Sequence, residues 1–234
     1  MISVRRATKR FGRVTALDDV TLTIRSGERV AFVGTNGSGK TTLLRAILGL
    51  IRVEGDVTIG GVDVARHPEL ALREVAYVPQ IAPPIDAPVR EVVRAHARLR
   101  QMHEEDTWDR ARRLGLARAD AEGKRFNDLS GGMKQKLLAA MACATRARVL
   151  VCDEPTANLD EDARAGLIEQ LEERPPGSVV LLCSHRVEEV HQLVGRVVEL
   201  RGGRVVRDAV VQTSTGDAPA ASMASPAPKM KVVA

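Results

Sequence analysis

The sequence predicts an α/β fold with a mostly parallel core sheet, and three observations carry that prediction. Apolar runs at Val149–Cys152 and Val179–Cys183 have the unbroken hydrophobicity of strands buried on both faces. Each run is followed by a helical pattern, and strands alternating with helices build a parallel sheet. The first segment differs: it reads as successive strands joined by turns, an N-terminal antiparallel β subdomain.

In order along the chain, strands are expected at Ile2–Arg6, at the alternating Val20-Thr21-Leu22-Thr23-Ile24 and at Arg29–Val33, with Gly27 supplying the last turn. A helix should run from Lys40 through Leu50, ended by Gly49 and its neighbours. Strands at Asp56–Ile59 and Val75–Val78 follow, separated by the turn pair Gly60-Gly61. The breaker-rich stretch from Ile81 to Pro88 then opens a small α-helical insertion, about residues 82–128. Its helical pattern, rich in Arg, Ala and Leu, runs from Val89 to about Gly115. Val92, Val93 and Leu99 read as its core, as do Trp108 and Tyr77 for the domain. Arg94, Arg98 and Arg100 read as a solvated face. Val197–Leu200 and Arg204–Val206, joined by Gly202-Gly203, make a closing hairpin. From Gln212 the composition collapses to Ala, Pro, Ser, Thr and Gly, so 212–234 is expected to be a disordered tail on a folded domain of residues 1–211.

Composition narrows the class. The 234 residues are 28% charged and 44% hydrophobic, ordinary for a globular protein, and only 2% aromatic, which makes the core aliphatic. The net charge of +5 is scattered rather than blocked, so nucleic acid is not an expected partner. Cys143, Cys152 and Cys183 lack metal-type spacing and sit in apolar surroundings, reading as small core residues of a reducing compartment. No signal-type stretch and no run of about 18 apolar residues occurs, so a cytoplasmic protein is expected.

Chemistry first appears at Gly34-Thr35-Asn36-Gly37-Ser38-Gly39-Lys40-Thr41-Thr42, directly after an apolar strand and directly before a helix. This satisfies G-x-x-x-x-G-K-[ST] in the required context. The glycines let backbone N–H groups turn inward as an anion nest, and the helix start adds positive potential. Lys40 suits the β- and γ-phosphates of a nucleotide, and the Thr41 hydroxyl suits Mg²⁺. The fold class is thus that of a P-loop NTPase. Asp153 and Glu154 end the apolar run from Val149, where two carboxylates are costly unless they meet a cation or a polarised water. Asp153 suits the Mg²⁺ shell and Glu154 the activation of an attacking water.

Leu129-Ser130-Gly131-Gly132-Met133-Lys134-Gln135 resembles the signature loop of ABC ATPases, and the rest of that family's pattern falls in order over residues 1–207. Gln80, after Val78-Pro79, resembles the Q-loop glutamine that senses Mg²⁺ and contacts the membrane partner. A surface polar residue is the competing reading. Ala157-Asn158-Leu159-Asp160 resembles the D-loop. His185 resembles the switch histidine at the γ-phosphate; a plain strand-end histidine is the alternative. Phe11 matches the aromatic that stacks on adenine, with a core role as its alternative.

The resemblance implies an ATPase that uses ATP and Mg²⁺, with Lys40, Gln80, Glu154 and His185 catalytic. It implies a homodimer in which each γ-phosphate is held by the phosphate loop of one subunit and by Ser130, Gly131 and Gly132 of the other. It further implies an integral membrane permease as partner, with the chain peripheral to the membrane through it. Two positions depart from the family's commonest pattern: Met133 stands where Gln is usual, and Thr35 where Pro is frequent. The competing function is a non-transport ABC ATPase acting as a mechanochemical clamp or assembly factor. The insertion is far too short for the coiled coil of DNA-repair members. A finer similarity is to subunits serving export-type or cofactor-maturation permeases.

Overall fold

The computed structural model describes residues 1–184 and 193–211. His185 and the expected tail at 212–234 lie outside them. The elements run β1 (Ile2–Phe11), β2 (Val14–Ile24), β3 (Arg29–Val33), α1 (Lys40–Ile47), β4 (Glu54–Ile59), β5 (Val62–Asp63), α2 (Pro68–Leu72) and β6 (Val75–Val78). Helices α3 (Val89–Arg100), α4 (Glu104–Arg113) and α5 (Arg118–Ala121) follow, and a 3₁₀ turn at Phe126–Asp128 leads into α6 (Gly131–Ala144). The chain continues through β7 (Val149–Asp153), α7 (Glu161–Glu172), β8 (Val179–Cys183), β9 (Arg196–Arg201) and β10 (Arg204–Val210).

Two sheets result. The first is antiparallel, in the order β2-β1-β4-β5. The second runs β10-β9-β3-β8-β7-β6 and is parallel except for β10, which pairs antiparallel with β9. Phe32, Cys183 and Asp153 stand in register across β3, β8 and β7. Because these strands share one direction, the C-terminal ends of β3, β6, β7 and β8 all lie at the same edge, where open α/β sheets bind ligands.

Alternation along the buried strands sorts side chains into two cores. Val30, Phe32, Val149, Val151, Leu181 and Cys183 face Leu43, Leu44 and Ile47 of α1 and the antiparallel sheet. Ala31, Val33, Leu150, Cys152, Val180 and Leu182 face Leu137 of α6 and Leu167 of α7. Full burial of each such Leu, Val or Phe stabilises by roughly 1.5–3 kcal/mol. The three cysteines are free and buried, as their apolar surroundings predict.

Several elements depart from expectation. Strands β1 and β2 are longer than read, because each passes through a non-glycine residue at positive φ where the pairing register shifts: Arg6 at 48° and Asp19 at 52°. Threonine side chains catch the displaced N–H groups, Arg6 N donating to Thr21 Oγ1 at 3.0 Å and Asp19 N to Thr8 Oγ1 at 3.0 Å. The helical pattern from Val89 to Gly115 is two helices, broken at left-handed Gln101 (φ 53°). Val93 is buried and Val92 half-buried, but Leu99 is 83% exposed, so it is no core residue. Arg100 is not simply solvated either: it donates to the carbonyls of Arg73 at 3.0 Å and Val75 at 2.7 Å, tying α3 to the start of β6. On α7, a side chain at Gly166 would collide with the Arg113 carbonyl, so α4 and α7 pack backbone to backbone there. Arg110 and Arg113 grip Glu173 at 2.7 and 2.6 Å beside that contact.

Candidate functional site

β3 is buried through Val33, after which the chain turns through Gly34–Gly39 into α1. Gly34 and Gly39 hold φ of 143° and 109°, which L side chains avoid. A side chain at Gly34 would collide with the Leu200 carbonyl, and one at Gly39 would lie 2.6 Å from the Ala16 carbonyl. The outer side of the loop is therefore packed on β2 and the β9–β10 hairpin, and Gly203 N braces it by donating to Ser38 O at 3.0 Å. Thr35, Asn36 and Gly37 are exposed, whereas the Ser38 hydroxyl is buried without a hydrogen-bond partner. No acidic residue occupies the first turn of α1, so its positive end is uncompensated.

Lys40 is buried, and its Nζ donates to the carbonyls of Gly34 at 2.7 Å and Thr35 at 3.2 Å. The loop thus holds its own cation. Thr41 Oγ1 donates to Asp153 Oδ1 at 3.4 Å, joining the start of α1 to the end of β7. Thr42 is half-buried beside it. Burial pushes the Asp153 carboxyl above its ordinary pKa; the Thr41 hydrogen bond opposes this, and the neighbouring Glu154 charge reinforces it. Glu154 is buried, its N–H donates to Cys183 O at 3.0 Å, and its φ is 50°. A non-glycine residue in that region costs about 1–3 kcal/mol, and such strain clusters at functional positions.

These atoms fit a hard divalent cation. A hydroxyl and a carboxylate stand in contact where burial disfavours an uncompensated negative charge, and Mg²⁺ typically takes one or two protein oxygens with substrate phosphates completing its shell. Gln80 is exposed, two residues beyond β6 on the same sheet edge. Its loop is tied to α6: buried Gln135 donates through Nε2 to Pro79 O at 3.4 Å.

A second group forms around α6 and α7. The Ser130 side chain caps α6, its Oγ accepting from Met133 N at 3.2 Å, and the first turn again lacks an acidic residue. Ser130 and Gly131 are exposed and Gly132 is half-buried. A side chain at Gly132 would lie 3.2 Å from Asn158 O, so the loop ending at Asp160 packs on the start of α6. Asp160 Oδ1 caps α7, accepting from Ala163 N at 2.8 Å, while Oδ2 accepts from Lys136 at 2.6 Å. Phe11, at the end of β1, is 51% exposed with the Lys9 ammonium 5.2 Å from its ring centroid, which excludes the core role. The structure therefore brings Lys40, Thr41, Asp153 and Glu154 together at one edge and joins Ser130–Gly132 to Asp160 in a separate group. Phe11 stands on the antiparallel sheet.

The sequence matches the ABC transporter family over residues 17–157, more than half of the chain. The chain belongs to that family. It is 36% identical over 212 residues to the sulfate/thiosulfate import ATP-binding protein CysA of Nocardia farcinica, covering 88% of this chain and 63% of that one. It is 33% identical over 213 residues to the Nod factor export ATP-binding protein I of Rhizobium meliloti, with 88% and 63% covered. The chain thus spans 63% of the length of both relatives. A solved structure of an ATP-binding subunit of an ABC transporter superposes with a TM-score of 0.81 at 28% identity, over 90% of each chain. The fold is the ABC cassette fold, with its antiparallel and mostly parallel sheets.

Two links within this ABC family chain escaped the sequence reading. Gln135 and Lys136 follow the L-S-G-G stretch and tie it to the loops at Pro79 and Asp160 respectively. The one available signal is that Gly132 and Lys136, four apart, share a helix face. Nothing in the sequence names their partners.

Proposed function

We propose that this chain is the ATP-hydrolysing subunit of an ABC transporter, dimerising around ATP to drive a separate integral membrane permease from the cytoplasmic face. The observation that supports it best is the meeting of Lys40, Thr41, Asp153 and Glu154 at one sheet edge. Lys40 exchanges its loop carbonyls for the β- and γ-phosphate oxygens, and backbone N–H groups of the Gly34–Gly39 loop and the start of α1 would hold the rest of the triphosphate. Thr41 and Asp153 would hold Mg²⁺, which when bound would supply positive charge to offset that of the phosphates. The Glu154 carboxylate orients the attacking water and accepts its proton as the P–O bond to ADP breaks. Gln80 would link this edge to the partner, and the family resemblance gives His185, outside the described residues, a role at the γ-phosphate.

The outward-facing start of α6 supports the dimer. Ser130 and Gly131 present an uncompensated positive helix end to solvent, suited to an anion brought by a second copy. A groove of roughly 290 Å³ lined by Leu48, Leu72, Tyr77, His96 and Met141 supports the permease. Leu50 lines it at 60% exposure, and Leu70 and Leu99 on the bordering helices are exposed too, an apolar surface suited to a partner. Among the described residues no helix is long and apolar enough to cross a membrane.

The test is Glu154→Gln. It should bind ATP as the parent does, accumulate ATP-dependent dimers by light scattering, and lose turnover by about 10²–10⁴-fold. Turnover at the parental rate would remove Glu154 from its role, and a parent chain that neither binds nor hydrolyses Mg-ATP would remove the whole reading. Co-purification of a multi-spanning protein from detergent-solubilised membranes tests the permease.

A further inference from the structure

We propose that Lys136 is a positioning residue for ATP hydrolysis: its bond to Asp160 locks the Asn158–Asp160 loop to the L-S-G-G helix, so that both reach the nucleotide interface as one piece. The inference rests on the ATPase reading above and deepens it.

Four observations carry it. The Lys136 side chain is only 14% exposed, so its aliphatic stem is packed and the ammonium is aimed rather than free. It meets Asp160 Oδ2 at 2.6 Å, the length of a strong charge-assisted bond. Asp160 divides its labour: Oδ1 caps α7 through Ala163 N, and Oδ2 alone serves the lysine. One turn before Lys136 on the same helix face, Gly132 leaves space for the Asn158 carbonyl, so the two elements already touch where a side chain would hold them apart. In keeping with these, the hydrogen bond from Lys136 holds the Asp160 carboxyl below its ordinary pKa.

The division at Asp160 makes the idea separable from folding. With Lys136 removed, Oδ1 still caps α7 and the loop keeps its local fold, but the loop can slide against α6. Nucleotide binding by one copy uses the phosphate loop and Phe11, neither of which touches Lys136. Turnover needs the α6 start and the Asp160 loop presented together, and should suffer alone.

In the full-length chain, Lys136→Met should lower kcat by at least about tenfold while leaving the Kd of one copy for a fluorescent ATP analogue within about twofold. Lys136→Arg, which keeps a long cation, should restore most of kcat. A residue that merely supported the fold would lower the melting temperature without this split and without rescue by a cation. A parental kcat in folded Lys136→Met, or folded Lys136→Arg as slow as Lys136→Met, overturns the proposal. If Lys136→Met does not fold, Lys136→Gln is judged by the same criteria. A parent chain without ATPase activity fails the function itself, and that control is read before any variant.

Discussion

Thr41 and Asp153, 112 positions apart in the chain, meet at 3.4 Å through a hydroxyl-to-carboxylate hydrogen bond. That contact joins the phosphate loop to the acidic end of β7. It also brings a carboxylate into a buried place where its charge is disfavoured. Function and stability therefore pull on Asp153 in opposite directions.

The first prediction follows from that opposition. Burial raises the folded pKa of Asp153 above its ordinary 3.8, so the folded state binds the proton more tightly than the unfolded chain. The ionised group destabilises fully above the folded pKa, and the penalty fades to nothing as pH falls below 3.8. Asp153→Asn should therefore raise the melting temperature at pH 7, by about 2–4 °C per kcal/mol relieved, and lose the gain in acid. The same variant should abolish Mg²⁺-dependent turnover. Calorimetry across pH, beside an ATPase assay, checks both halves; a lowered melting temperature at pH 7 would contradict the burial argument.

Phe11 offers a cleaner separation. Its ring is half exposed at the end of β1, so truncation removes little packing. Phe11→Ala should raise KM for ATP about two- to thirteenfold, the weight of one aromatic stacking contact of about 0.5–1.5 kcal/mol, with kcat and melting temperature held. Steady-state kinetics decide it, and an unchanged KM would take Phe11 out of the adenine site.

Glu173 tests the joint between α4 and α7. Hydrogen bonds from Arg113 and then Arg110 hold its carboxyl down to about 2. A depressed carboxyl contributes stability that is present above its ordinary 4.5 and lost as pH falls through about 2. Glu173→Gln should therefore melt below the parent at pH 7, and the gap should close across that acid window. Added salt should narrow it at neutral pH, because the carboxylate is solvent-facing. A gap that stayed constant from pH 7 to pH 2 would assign the loss to shape rather than charge.

What the sequence disclosed depended on how local each feature was. The phosphate loop was legible because Gly34, Gly39 and Lys40 act within a single turn, and β6 and β8 matched expectation because buried parallel strands are continuous in hydrophobicity. The break at Gln101 was not, since a non-glycine residue there takes the left-handed turn that glycine would have advertised. Arg6 and Asp19 hid the true lengths of β1 and β2 in the same way. Helix α2 was missed, although Pro68 at its first turn is a start signal. The ties from Gln135 to Pro79 and from Lys136 to Asp160 span 56 and 24 positions, and no periodicity encodes such a pairing.

The lysine of the phosphate loop closes its own circuit, Nζ resting on the carbonyls of Gly34 and Thr35. An incoming molecule must therefore outbid two good hydrogen bonds before it gains anything from that ammonium. A neutral nucleoside has nothing to trade, whereas a polyphosphate does, so on the proposed reading the cradle would screen newcomers by charge before the base is ever read.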